Sequence, residues 1–272
     1  MQSRPSNSRR DGTTAFFVVT LSITWLLQLP AVLAQRGIIA GPVERFMLPM
    51  MLGTFGPVAA AVIVSRFQPG GVRALFRPLR TWRVGAGWYL VALGLFAAIH
   101  VASTAVYVLC GGHDAGRFFY PPENAQHIAG MIMMPLVEEP GWRSFALPRL
   151  QRQYGAFSAS LRLGVVWALW HTMMFLFQGT TPFTFVVSIV NIVAGSVIFA
   201  WIYNRTRGSL LLAVLAHVGV HLSNPTHALP ANVTPFVIYT VGIIVAAAAL
   251  VVLDRKAWIT KADETAAIPI VS

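Results

Sequence analysis

Eight stretches of mostly apolar residues constrain this chain more than any other feature, running roughly over 13–34, 47–65, 86–110, 126–147, 159–177, 183–203, 208–223 and 234–253. An apolar run of about 20 residues spans the hydrocarbon core of a bilayer as an α-helix. In lipid every backbone N–H and C=O must be satisfied within the protein, which leaves helices and closed barrels. Unbroken apolar runs of this length select helices. Composition agrees: 56% of the 272 residues are hydrophobic and 11% are charged, against about 25% charged in soluble domains. The expected fold is an all-α polytopic membrane protein with about eight transmembrane helices. It forms a single transmembrane domain over 13–253, between tails at 1–12 and 254–272. No stretch repeats at a fixed period.

The placement of charge gives the orientation. Seventeen of the 20 basic residues fall in the tails and in alternate connections, leaving only Arg36, Arg45 and Arg117 for the opposite side. Basic residues mark the cytoplasmic side, so both termini are expected to be cytoplasmic. The net charge of +11 is then a topology signal and an attraction to anionic lipid; the lipid bilayer is the expected partner and nucleic acid is not. Arg9-Arg10, an apolar run and AVLAQ imitate a secretory signal, but the length of the run and the spans after it argue for a retained helix. The lone Cys110 excludes an internal disulfide and an all-cysteine metal site, and is expected to pack as a small hydrophobe. The connection 66–85, with arginines and aromatics at helical spacing, is expected to form an interfacial helix.

Of the nine acidic residues, only Glu138 and Glu139 fall within a span, in MMPLVEEPGWRSFALPRL. Ionisable groups at membrane depth are costly and face a bundle interior or a cavity. Pro140 follows at once and disfavours regular helix at Glu139, so a helix kinked at its carboxylates is expected, lining a cavity. Arg143 stands four residues after Glu139, the spacing of a helical ion pair, which leaves Glu138 free to act elsewhere. His171 lies mid-span in VVWALWHTMMFLF, and His217 and His221 share one face of the seventh span. Carboxylates and imidazoles buried together suit a water-activating site, with a carboxylate base, a histidine to orient the water and donors for an oxyanion. They suit equally a metal site for zinc, with Glu138, His171, His217 and His221 as ligands. The cofactor stays open between none and zinc.

Glu138-Glu139-x-x-x-Arg143, the aromatic-x-x-x-His of Trp167 to His171, and His217 together resemble the three motifs of the CPBP family. These are intramembrane proteases of the CAAX prenyl protease 2 or Abi type, which process CAAX and bacteriocin substrates. GTFGPVAAAVIVSR and RTRGSLLLAVLAH add to the resemblance, which covers roughly 50–225. It implies an endopeptidase, metallo- or glutamate-dependent, acting on a peptide or membrane-anchored protein near the cytoplasmic leaflet. Glu138 would activate water with help from His171. Glu139 and Arg143 would hold the kinked helix, and His217 would donate to the oxyanion. Two positions depart from the family pattern: Trp167 replaces Phe, and His221 replaces Asn, with Asn224 one turn further along as a substitute. Two other classes remain open: a catalytically inactive scaffold on the same fold, and a proton-coupled transporter. A transporter more often shows duplicated halves with paired broken helices, and this chain has one broken helix and no repeat.

Overall fold

The computed structural model describes residues 12–113, 124–223 and 232–259. Among them the chain is helical, without a strand. Helix α1 is Thr13–Gln35, followed by α2 (Met47–Gly53), α3 (Gly56–Ser65), the short α4 (Gly71–Phe76) and α5 (Gly87–Leu109). Then come α6 (Ala125–Glu139), a π-helical turn over Pro140–Ala146, α7 (Leu147–Tyr154), α8 (Ala156–Trp170) and α9 (Thr172–Phe177). The chain continues through α10 (Pro182–Arg205), α11 (Leu210–Ser223), α12 (Thr234–Leu253) and α13 (Lys256–Ile259). Each apolar run of the sequence thus lies on helix. Five helical stretches are long and apolar enough to cross a membrane, or six if α2 and α3, bent by 42° with their leading turn, count as one. The fourth and seventh runs are the short ones: α6 has 15 residues before its π turn, and α11 has 14.

Local chemistry sets several boundaries. Asn124 caps α6 by accepting from the His127 amide at 2.8 Å. Thr181 does the same for Thr184 at the start of α10, where Pro182 takes the first helical position, at which a missing N–H costs nothing. Outward side chains are apolar at mid-helix: Leu26 is 70% exposed, Val101 38% and Val245 61%. Such a continuous apolar exterior is a lipid-facing surface, and the protein is an integral membrane protein.

The helices pack around the stretch that carries the carboxylates. Helix α11 lies along α5, α8 along α10, and α12 against both α5 and α10, while α1 covers α2, α3 and the π turn. The first helix therefore does more than set topology. Its buried Phe16 meets Trp142 and Phe145 at ring separations of 5.6 and 5.0 Å. Its Thr24 accepts from the Trp170 indole at 2.7 Å and donates to the Gly53 carbonyl at 2.8 Å.

The expected kink takes the form of the π turn. Pro140 has no N–H to give the carbonyl one turn earlier, and the helix absorbs the loss by widening to i→i+5 bonding. The wide turn presses on the start of α3. A Cβ at Gly141 would sit 2.7 Å from the carbonyl oxygen of Pro57 and 2.8 Å from its carbon. Backbone cannot yield there as a flexible side chain would, so Gly141→Ala should destabilise by about 1–3 kcal/mol, the usual cost of overpacking. Thermal unfolding in detergent checks this, and a variant as stable as the parent would show that the approach is loose. Small residues commonly allow such close helix packing in membranes. Gly219 does so for α11, where a Cβ would meet the Leu93 carbonyl oxygen of α5 at 2.7 Å.

Two sequence expectations change. Cys110 is exposed at the end of α5 rather than packed. The 66–85 connection is helical only over α4 and a 3₁₀ turn at Arg77–Arg80, shorter than a full interfacial helix, because Gly70 and Pro78 interrupt it. Ser144 of the π turn donates to the Leu75 carbonyl and ties this connection to the centre of the fold.

Candidate active site

Glu138 and Glu139 close α6 facing different neighbours. Adjacent helical positions diverge by about 100°, so Glu138 reaches towards α8 and Glu139 towards α11. Both are buried, at 4% and 0% exposure.

Glu139 is the hub of a buried polar cluster. Its Oε1 accepts from Arg143 Nη1 at 3.0 Å, the pairing expected from the four-residue spacing, and from His217 Nδ1 at 2.8 Å. Arg143 is fully enclosed, its guanidinium carbon lying 4.2 Å from the Trp167 ring centre and 4.3 Å from that of Phe199. Arginine suits this slot because its weakly hydrated planar cation stacks on aromatic faces.

Glu138 is held by indoles. Its Oε2 accepts from Trp167 Nε1 at 2.9 Å and from Trp142 Nε1 at 3.3 Å. No protein hydrogen bond reaches Oε1 among the described residues. One oxygen is thus fixed by two neutral donors, while the other keeps its lone pairs for a further partner. Neutral donors orient a carboxylate without the counter-charge that an arginine would bring.

The histidines gather around the same indole. The Trp167 ring lies 5.8 Å from that of His171 and 5.6 Å from that of His217. His171 Nδ1 stands 2.8 Å from the Trp167 carbonyl oxygen. A carbonyl can only accept, so Nδ1 carries the proton and Nε2 presents a lone pair. His217 donates likewise through Nδ1 to Glu139, which leaves its Nε2 facing away from the pair. His221 packs beside it, the two rings 5.0 Å apart and nearly parallel at 8°.

The structure therefore brings Glu138, Glu139, Arg143, Trp167, His171, His217 and His221 into one cluster built from α6, the π turn, α8 and α11. Asn224 lies outside the described residues. Trp142 and Phe199 are members that the sequence reading did not single out. Trp142 had a visible signal, since it stands four residues after Glu138 as Arg143 does after Glu139. Phe199 had none, being one apolar residue among many on α10.

Among the described residues no group of three or more His, Cys, Asp or Glu is placed to hold a metal ion. His171 and His217 are each engaged through Nδ1, with backbone and with Glu139 respectively.

A helical membrane protein whose paired glutamates, arginine and histidines meet at a π turn resembles polytopic intramembrane proteases by sequence as well. Residues 122–223, which hold the whole cluster, match the family model described as "Type II CAAX prenyl endopeptidase Rce1-like". The chain is also 22% identical, over 262 residues, to CAAX prenyl protease 2 of Methanococcus maripaludis, covering 90% of this chain and 95% of that protein. Over residues 122–223 the chain is thus similar to the Rce1-like CAAX prenyl endopeptidases, and its likeness to the archaeal protein extends over most of its length.

Proposed function

We propose that the protein is an intramembrane endopeptidase that hydrolyses a peptide bond of a membrane-anchored peptide or protein, with Glu138 as the base. The observation that carries this reading is the half-restrained Glu138 carboxylate, fixed through Oε2 and open at Oε1, in the same cluster as His171, whose Nδ1 is turned to backbone. The resemblance to CAAX prenyl proteases supports it.

In the proposed reaction a water held between Glu138 Oε1 and His171 Nε2 attacks the scissile carbonyl carbon. Glu138 takes the proton as the C–O bond forms, and the carbonyl oxygen becomes an oxyanion. His217 faces that oxyanion; to donate from Nε2 it must carry both ring protons, and the Glu139 carboxylate at Nδ1 compensates the added charge. The C–N bond then breaks, and Glu138 returns its proton to the leaving amine. His221 stands next to His217, where the family pattern has Asn, and supplies a second ring to orient it.

The excess of basic residues in the tails and alternate connections supports cytoplasmic termini and cleavage near the cytoplasmic leaflet. The likeness to the archaeal CAAX prenyl protease 2 makes a prenylated CAAX peptide the first substrate to test. The purified protein in vesicles should release the terminal peptide, and Glu138→Gln should not. Equal release by both proteins would sink the reading.

Trp167 offers a finer test. Trp167→Phe keeps an aromatic wall and restores the family's residue but removes the donor to Glu138. A hydrogen bond to a charged group contributes about 1.5–3 kcal/mol, so kcat should fall roughly tenfold or more with KM little changed. An unchanged kcat would show that Trp142 alone suffices to orient Glu138.

A further inference from the structure

Three arginines converge on one recess, and among the described residues no acidic side chain lines it. Arg80, Thr81, Trp82, Arg83 and Arg207 line a cavity of 590 Å³ between the end of the 66–85 connection and the turn joining α10 to α11. The recess is held open by backbone contacts. Arg207 donates through Nη2 to the Arg83 carbonyl, and Tyr89 donates its hydroxyl to the Trp82 carbonyl at 2.6 Å. Arg207 itself has φ 57°, a left-handed conformation that L-residues other than Gly, Asn and Asp seldom adopt. Strain of this kind is kept where the surroundings fix the residue in place. The nearby acid, Asp254, is already bound by Arg205 at 2.9 Å and by the Trp201 indole at 2.9 Å.

We infer that this recess is a binding site for the phosphate headgroup of an anionic phospholipid. Charge complementarity gives the anion: guanidinium forks match phosphate oxygens in pairs, and clustered arginines without a counter-charge repel one another until one arrives. The position gives the lipid. The recess sits where α3, α5, α10 and α11 all reach the same end of the bundle, at headgroup depth, and half-exposed Trp82 has the amphipathic ring favoured there. On the same first turn of α5 as Tyr89, Leu90 is 76% exposed and offers apolar surface for an acyl chain. The bound headgroup would brace the 66–85 connection against the turn that starts α11, the helix bearing His217.

The test uses the full chain in phosphatidylcholine vesicles containing a trace of spin-labelled phosphatidylglycerol, with spin-labelled phosphatidylcholine as the reference. The parent protein should immobilise phosphatidylglycerol preferentially. Arg83→Gln/Arg207→Gln should lower that preference roughly 25-fold, at about fivefold per juxtamembrane basic residue. Arg73→Gln/Arg77→Gln removes the same charge from the same connection outside the recess and should lose much less. Equal losses in the two pairs would overturn the site in favour of diffuse surface charge. Displacement of the labelled lipid by ~10 mM inorganic phosphate, at matched ionic strength, would overturn it in favour of a free-phosphate site. Should the double variant not fold, Arg80→Gln serves alone, and an unchanged preference there overturns the proposal as well.

Discussion

Glu138→Gln should reduce peptide cleavage by roughly 10²–10⁴-fold, the contribution of a positioned general base, while leaving the protein folded. The asymmetry of the Glu138 environment is the reason. Gln retains a carbonyl oxygen to accept the Trp142 and Trp167 indoles, so the packing around α6, the π turn and α8 has nothing to lose. It cannot take a proton from water. Yield, thermal unfolding and tryptophan fluorescence should therefore match the parent while turnover collapses. A Glu138→Gln protein retaining about a tenth or more of parental turnover would mean that the base lies elsewhere, with His171 the next candidate through its free Nε2.

Glu139→Gln should fail in the opposite way. Removing one partner of a buried ion pair costs about 3–5 kcal/mol, because the other charge stays buried without compensation. Arg143 would be left enclosed between Trp167 and Phe199 with no carboxylate. The unfolding temperature in detergent should fall by roughly 10 °C, on the scale of soluble domains of similar size. Activity should fall too, since His217 loses the carboxylate at Nδ1, but any folded fraction should retain residual turnover. Glu139→Gln/Arg143→Gln should recover part of the stability lost by either single change. A double variant no more stable than the worse single would show that the two side chains are not coupled, despite their 3.0 Å separation.

Short-range chemistry was legible in the sequence. The apolar runs located the helices, Pro140 located the irregular turn, and the four-residue spacing paired Glu139 with Arg143. Order of motifs also grouped Glu138, His171 and His217, because polar exceptions on apolar helices turn inward. What the sequence could not show depends on how helices rotate against one another. The bond from His217 to Glu139 spans 78 positions and exists because Gly219 lets α11 settle onto α5. The indole of Trp167 reads from sequence as a wall; only its orientation in the packed bundle makes it a donor. Likewise, Pro140 announces an interruption without saying whether the helix will bend or widen, and the contact of Gly141 with Pro57 decides for widening.

The two adjacent glutamates have a consequence for the order of events during synthesis. Glu138 finds its second indole only on α8, and Glu139 finds its imidazole only on α11. A nascent chain that has delivered α6 and the π turn to the bilayer carries its ion pair with Arg143, held within one segment, and no assembled cluster. The cluster closes only after residue 217 has left the ribosome and α11 has entered beside α5. Every shorter intermediate lacks the imidazole that Glu139 accepts from, so the order of helices along the chain delays the complete cluster until most of the bundle surrounds it.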